Sequence, residues 1–254
     1  MKNLKRLACH EAYSIKMASF KINDTIVPVE AADGIDLQRC IDSKLFKDWA
    51  SSLEAELKVE NIRVQSVDYF GPRVGFLKIE TITTFHGKRI PGICFLRGGA
   101  VSILVILQCE DEEWVLCTRQ PRVPVGRADL LELPAGMLDG SGAFAGVAAK
   151  EMKEETGLDL TSADLIDLTG LALGDGVYPS PGGCDEFLRF MLHRRAVTRS
   201  ELDAMRGKAT GNLDEGEVIV LDLVEYKKMW RVCNDVKALS SMFLYERLRA
   251  ERLV

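Results

Sequence analysis

Three glutamates that could act together, Glu151, Glu154 and Glu155, lie in the second half of the 254-residue chain. Offsets of three and four residues place side chains on one face of an α-helix. Like charges at these offsets repel each other, so one interpretation is simply an acidic face covered by solvent. The other is a cation site, because Mg²⁺ and Mn²⁺ prefer oxygen ligands and keep coordination positions open for phosphate.

The sequence around these glutamates favours the cation site. A strand ending at residues 131–136 precedes them, and a loop with Gly140 and Gly142 separates this strand from the acidic helix. The helix is predicted over 143–156, followed by Gly157 in the position where helices often end with a left-handed residue. The strand, the loop and the acidic face together predict a pocket for a divalent cation, which neutralises a diphosphate and activates water.

The segment Gly136–Leu158 resembles the Nudix box, Gx5Ex7REUxEExGU, where U is apolar. Two positions depart from it, since Gly142 replaces the first glutamate and Lys150 replaces the arginine. In that family these two commonly support each other, so we expect their loss to affect loop stiffness more than metal binding. The resemblance implies an α+β protein with the α/β/α sandwich of the Nudix fold. The positions that match the motif are Gly136, Glu151, Met152, Glu154, Glu155, Gly157 and Leu158.

Further segments are similar to the ADP-sugar diphosphatase branch of that family, in particular the plant-type ADP-glucose and ADP-ribose diphosphatases. This resemblance implies hydrolysis of the diphosphate bond of nucleoside diphosphate sugars, giving a nucleoside monophosphate and a sugar phosphate. It also implies a homodimer in which the N-terminal region contributes to the substrate site. The segments are Val67–Lys78, Arg97–Val101, Gln120–Pro124, Leu131–Gly136 and Gly176–Glu186.

The same resemblance assigns roles to individual residues. The metal ligands for Mg²⁺ or Mn²⁺ are the backbone carbonyl of Ala135 and the carboxylates of Glu151, Glu154 and Glu155. Glu217, just before a late strand, best matches the general base, and Glu215 is the reserve.

Substrate contacts are expected from Gln120, Arg122, Arg97 and Glu186. Arg122 is the strongest of these, because a guanidinium can grip a phosphate with two parallel hydrogen bonds. Its alternative role is a salt bridge, and Gln120 has a structural alternative as well. None of the cysteines forms a recognisable pair with a histidine, which argues against a thiol nucleophile.

Two other functions stay open. The departures at Gly142 and Lys150 suit a Nudix-fold protein that binds nucleotide sugars with little or no turnover. Alternatively, the enzyme acts on another nucleoside diphosphate derivative, such as a dinucleoside polyphosphate or coenzyme A, which the segments at 120–122 and 180–183 disfavour.

The elements that position these residues follow from periodicity. Residues 1–20 are predicted to be a loosely ordered arm, 22–29 a strand, and 36–57 an amphipathic helix or helix pair. Residues 62–84 predict a hairpin around the turn at 70–73. Further strands are predicted at 92–96, 100–107, 113–120, 130–133, 165–173, 186–193 and 218–223, with a charged loop over 200–216 and terminal helices after it.

The change of pattern near Gly98 predicts a small strand-rich dimerisation domain over 1–97 and a Nudix hydrolase domain over 98–254. A net charge of −5 argues against nucleic-acid binding, which needs a basic surface. No apolar run approaches the roughly 20 residues that span a bilayer, so no membrane association is expected. The irregular cysteines and the absence of a secretory h-region predict an intracellular, cytoplasmic protein, with organelle targeting left open.

Overall fold

The computed structural model describes residues 16–138, 144–211 and 218–254. The chain divides into two compact units, one formed by 1–97 with 182–185 and the other by 98–181 with 186–254. Among the described helices, none is long and apolar enough to cross a membrane.

The first unit is a six-stranded sheet with two short helices. In chain order its elements are β1 (Lys16–Ile22), β2 (Thr25–Ala31), α1 (Leu37–Asp42), α2 (Lys44–Ser52), β3 (Lys58–Phe70), β4 (Arg73–Phe85), β5 (Lys88–Ile90) and β6 (Ile93–Leu96). The strands are ordered β1-β2-β3-β4-β5, and β6 also pairs with β4. The pairing of β2 with β3 is parallel, and the other pairings are antiparallel.

The amphipathic segment after residue 36 forms two helices, so the helix-pair alternative is confirmed. Ser43 separates them, because it ends α1 and its hydroxyl accepts the backbone N–H of Phe46 at 3.2 Å as the N-cap of α2. Phe46 and Trp49 of α2 pack into the core of this unit with Ile62 of β3 and Leu77 of β4.

The hairpin of β3 and β4 is confirmed, with its turn at Gly71 and Pro72. The prediction for the first residues was wrong from Lys16 onward, where β1 begins; residues 1–15 lie outside the described chain. Residues 25–29 of the strand predicted over 22–29 lie in β2, and β2 forms with β1 a hairpin that was not predicted. Its turn contains Asn23 with φ of 51°, and asparagine tolerates this left-handed conformation better than most residues.

The second unit is an eight-stranded sheet flanked by helices. Its elements are β7 (Ala100–Cys109), β8 (Glu112–Arg122), β9 (Arg127–Glu132), β10 (Ala135–Met137), α3 (Phe144–Thr156), β11 (Ile166–Asp167), α4 (Leu168–Ala172), β12 (Leu188–Ala196), α5 (Arg199–Met205), β13 (Ala209–Thr210), β14 (Ile219–Glu225), α6 (Tyr226–Val232) and α7 (Val236–Ala250). The order is β11-β12-β7-β8-β14-β13, with β10 paired to β7 and β9 paired to β8. Only β12 and β7 pair in parallel among the described strands of this sheet.

Strand β7 shows why this unit has three layers. Its residues alternate between two cores, Leu104 and Ile106 facing one and Ile103 and Val105 facing the other. The first core is completed by α4, α6 and α7, and the second by α3 and α5. A strand buried on both faces is nearly continuously apolar, and β7 departs from this only at Ser102 and Gln108. The predicted fold class, an α/β/α sandwich with a strand-rich N-terminal region, is confirmed.

Two predicted segments were wrong. The strand predicted over 165–173 is only β11, because Asp167 then caps α4 by accepting the N–H of Gly170 at 2.8 Å. The predicted loop over 200–216 begins as α5, whose capping box joins Thr198 and Glu201 in both directions. In both places a local side-chain cap stabilises a helix start that hydrophobic periodicity alone does not show.

Candidate active site

The acidic helix α3 is attached to the short strand β10 through Glu155. A carboxylate oxygen of Glu155 accepts the backbone N–H of Ala135 at 3.1 Å, and its side chain is buried with 7% exposed. The hydroxyl of Thr210, on β13, donates to the backbone carbonyl of Glu155 at 2.5 Å. The last turn of α3 is therefore fixed between two strands of the same unit.

Glu151, one turn earlier, packs directly against Gly136. A Cβ atom added to Gly136 would lie 1.9 Å from the carboxyl carbon of Glu151, closer than any two such atoms approach. A side chain at position 136 would therefore displace the Glu151 carboxylate from this position. The spacing between Gly136 and Glu151 in the motif thus has a steric reason, and it places Glu151 and Glu155 against adjacent residues of β10.

Glu154 is placed differently. Its side chain is half exposed, and Lys150 lies one turn away with its ammonium 3.7 Å from the carboxylate. Exposed pairs of this kind contribute little to stability, on the order of 0.5 kcal/mol. The structure therefore brings Glu151 and Glu155 onto β10, and leaves Glu154 towards solvent beside Lys150.

The donors around β10 suit a hard divalent cation. Carboxylate oxygens and backbone carbonyls are the ligands that Mg²⁺ and Mn²⁺ prefer, and Glu151, Glu155 and Ala135 supply both kinds. Within residues 16–138, 144–211 and 218–254, no three acidic, histidine or cysteine side chains are gathered into one ready ligand set. The donor chemistry fits such a cation, and the contacts with β10 hold the carboxylates of Glu151 and Glu155 in place beforehand.

Arg122, the proposed phosphate contact, ends β8 and is anchored by a salt bridge. Its Nε donates to Glu132 at 2.7 Å, and 41% of the Arg122 side chain is exposed. In the described part of the chain its two terminal nitrogens have no hydrogen-bond partner. The salt bridge is therefore present at the Nε edge of the guanidinium, and the phosphate contact stays a prediction for the edge formed by the terminal nitrogens. Gln120 is half-buried two residues earlier on the same strand.

Glu132 itself received no role from the sequence, although it is one of the few buried carboxylates. Its other oxygen accepts the ammonium of Lys237 at 2.9 Å, and only 6% of the Glu132 side chain is exposed. Burial opposes ionisation of this group, but Lys237 and Arg122 outweigh it and hold the pKa of Glu132 below its ordinary value. A glutamate between Leu131 and Leu133, both buried, was the available signal.

The remaining predicted site residues are Arg97, Glu186 and the two base candidates. Arg97 belongs to the first unit, where its backbone N–H donates to the carboxylate of Asp185 at 2.7 Å. Glu186 belongs to the second unit and is half-buried. The base candidates Glu215 and Glu217 lie outside the described residues. They follow shortly after Thr210 in the sequence, and Thr210 is hydrogen-bonded to the acidic helix α3.

Comparisons with known proteins agree with this geometry. The NUDIX domain family model matches residues 96–234. "Nudix hydrolase 14, chloroplastic" from Arabidopsis thaliana is 40% identical over 90% of this chain and 79% of its own length. The "ADP-ribose pyrophosphatase" of Bacillus subtilis (strain 168) is 27% identical over 76% of this chain and 98% of its own.

A solved structure described as an ADP compounds hydrolase superimposes with a TM-score of 0.52, covering 80% of this chain and all of that one. At 15% identity this likeness concerns the fold alone. The family model spans more than half of the chain, and the Arabidopsis relative matches most of it. The structure also packs the glutamate-bearing helix on the strand that contains the box glycine, and the chain belongs to the Nudix hydrolase family.

Proposed function

We propose that this Nudix hydrolase cleaves the diphosphate bond of nucleoside diphosphate sugars of the ADP-ribose and ADP-glucose type, using Mg²⁺ or Mn²⁺. The products are a nucleoside monophosphate and a sugar phosphate. The observation that carries the proposal is the packing of Glu151 and Glu155 on adjacent residues of β10. The Bacillus relative, named an ADP-ribose pyrophosphatase, supports the choice of substrate class.

In this proposal Glu151, Glu154, Glu155 and the carbonyl of Ala135 hold the metal. A divalent cation held there supplies neutralisation of the diphosphate oxygens and a more acidic water. The protein's contribution is to fix the donors beforehand, and the bond from Ala135 to Glu155 does this for the buried carboxylate. Glu154 faces solvent and pairs with Lys150, so its carboxylate must leave this ion pair to bind the metal.

Arg122 binds a phosphate through the guanidinium edge that Glu132 leaves open, with two hydrogen bonds to one phosphate group. Gln120, Arg97 and Glu186 are the further substrate contacts in this proposal. Glu217 takes the proton of the attacking water, with Glu215 as the reserve. These two assignments rest on the family resemblance of the segment after Thr210, and a base there must lie within hydrogen-bond reach of that water.

A panel of ADP-ribose, ADP-glucose and UDP-glucose, each with Mg²⁺ or Mn²⁺, tests the proposal, with products separated by chromatography. We expect AMP and sugar phosphate from the ADP-sugars, and loss of this activity in Glu155→Gln. The matched control is Glu251→Gln, which changes an exposed glutamate paired at 4.0 Å with Arg247. Release of neither product under any condition overturns the enzymatic proposal.

The second candidate is a Nudix-fold protein that binds nucleotide sugars without turnover. It is favoured by Lys150, which pairs with Glu154 where the family motif has an arginine, and by Gly142, which lies outside the described residues. Calorimetric titration with ADP-ribose separates the two, because this candidate requires binding without product release. Turnover of a dinucleoside polyphosphate or coenzyme A instead would move the activity to another nucleoside diphosphate derivative.

We further propose that residues 1–97 form a dimerisation domain and 98–254 the hydrolase domain of a homodimer. The support is the compactness of each unit and the edges of the first unit's sheet, since strand edges invite pairing with another copy. Light scattering of the full-length protein tests the oligomeric state. The Arabidopsis relative is named chloroplastic, which supports an organellar location over a cytoplasmic one, and a C-terminal fluorescent fusion tests this.

A further inference from the structure

The start of helix α7 forms a buried charge cluster with the end of β9. The ammonium of Lys237 bridges two carboxylates, donating to Glu132 at 2.9 Å and to Asp235 at 3.1 Å. Asp235 is also the N-cap of α7, accepting the backbone N–H of Lys237 at 3.1 Å. The three side chains are 6% to 14% exposed, so none of them has its charge satisfied by bulk water.

This cluster continues to Arg122. One oxygen of Glu132 holds Lys237 and the other accepts Nε of Arg122 at 2.7 Å. Glu132 is therefore anchored from the helix side and anchors Arg122 on the strand side. Two carboxylates and two cations balance in charge, which is the condition under which buried ions are tolerated.

Fixing Nε fixes the whole guanidinium, because the group is planar and its donors form a rigid fork. An arginine on a surface strand otherwise samples many rotamers, and ordering it on binding weakens the affinity. Here the inner edge of Arg122 is already held by a buried carboxylate, and its outer edge faces solvent. The hydrogen bond to Glu132 thus restricts the orientation of Arg122 before a phosphate binds.

We propose that Lys237, with Asp235, is a positioning device that acts through Glu132 to preset Arg122 for an anionic phosphate. This inference rests on the proposed function, in which Arg122 contacts the diphosphate. Lys237 and Asp235 both follow residue 234, where the match to the family domain ends, so the device is supplied by the C-terminal helix of this chain.

The test compares Lys237→Met, Lys237→Arg and Arg122→Ala in steady-state hydrolysis of ADP-ribose. We expect Lys237→Met to raise KM about tenfold with kcat within about threefold, since a misaligned clamp weakens binding before the chemical step. Lys237→Arg should restore most of the affinity, because it can still bridge the two carboxylates. The control is Lys227→Met, an exposed lysine that pairs with Glu225 at 3.1 Å and should behave as wild type.

A second measurement needs no substrate. The Nε–H signal of Arg122 in a ¹⁵N-edited spectrum reports its hydrogen bond to Glu132 directly. We expect slow solvent exchange in the wild type and exchange at least about tenfold faster in Lys237→Met, as for any bond whose acceptor becomes mobile. If Lys237→Met does not fold, Asp235→Asn replaces it, since it keeps the cap oxygen and removes one of the charges that hold the ammonium.

These measurements distinguish a failure of the positioning device from a failure of the proposed function. Arg122→Ala raising KM while Lys237→Met leaves KM and the exchange rate unchanged overturns the positioning device and leaves the proposed function standing. Arg122→Ala with unchanged KM overturns the role of Arg122 in the proposed function. Unchanged Nε–H exchange in Lys237→Met and Asp235→Asn overturns the positioning device whatever the activity is.

Discussion

Replacing Glu155 by two different residues separates its proposed metal-binding role from its structural role. Its carboxylate accepts the N–H of Ala135 at 3.1 Å from a largely buried position. Glu155→Gln keeps an oxygen that can accept this bond, so we expect the free energy of unfolding to fall by less than about 1 kcal/mol. Glu155→Ala leaves that N–H without the acceptor, which costs about 1–2 kcal/mol and lowers Tm by about 2–8 °C.

Activity should not follow the same order. Both variants remove a negative charge from the proposed cation site, so each should reduce turnover of ADP-ribose at least about a hundredfold at saturating Mg²⁺. The assay is release of AMP, measured beside thermal unfolding by circular dichroism. A Glu155→Gln protein that stays within a few fold of wild-type turnover would refute the metal-site reasoning. Equal losses of Tm in Glu155→Gln and Glu155→Ala would refute the structural role of the hydrogen bond from Ala135 to Glu155.

Four further predictions concern other parts of the fold. Arg122→Ala should raise KM about tenfold or more and affect kcat less, by steady-state kinetics; an unchanged KM for every ADP-sugar contradicts the phosphate contact. Lys150→Arg with Gly142→Glu should change stability by about 0 to +1 kcal/mol, by denaturant titration, and a clear drop in Tm contradicts it. Because the pKa of Glu132 is lower in the folded protein than its ordinary value of 4.5, its ionised carboxylate stabilises the fold above pH 4.5, and this stability is lost as the pH falls through the folded-state pKa. The difference in free energy of unfolding between wild type and Glu132→Gln should therefore become smaller in acid, and a difference that does not change with pH contradicts this. Deletion of residues 1–90 should abolish dimerisation and activity, by light scattering and product release, and a fully active monomer contradicts it.

The acidic helix was predictable within a residue or two because its carboxylates have fixed spacing and a glycine follows it. Which carboxylates are covered was not predictable. Helical periodicity places Glu151, Glu154 and Glu155 on one face, but β10 covers only the side that carries Glu151 and Glu155. A strand of three residues has too little pattern to be found in a sequence, and its register on β7 depends on the assembled sheet.

The partner of Arg122 was hidden for a related reason. Between β8 and β9 the register shifts, since Gln120 faces Leu130 while Arg122 faces Arg127. Such bulges redirect side chains, and nothing in the sequence alone fixes where they fall. Helix α5, in contrast, was predictable from the sequence, because Thr198 and Glu201 have the three-residue spacing of a capping box. Charge content in this segment had favoured a loop instead.

The parallel pairing of β12 with β7 has a consequence for how the protein is made. Strand β7 meets β8 across a tight turn, so this hairpin closes as soon as both strands have left the ribosome. Leu188 pairs with Ala100 only after β8, β9, β10 and α3 have been synthesised between them. Until then one edge of β7 lacks its β12 partner and is exposed to wrong pairing. Translation pauses before β12 should therefore favour aggregation of the nascent chain more than pauses after β12, when, among the described strands, only the edge of β8 that pairs with β14 is still open.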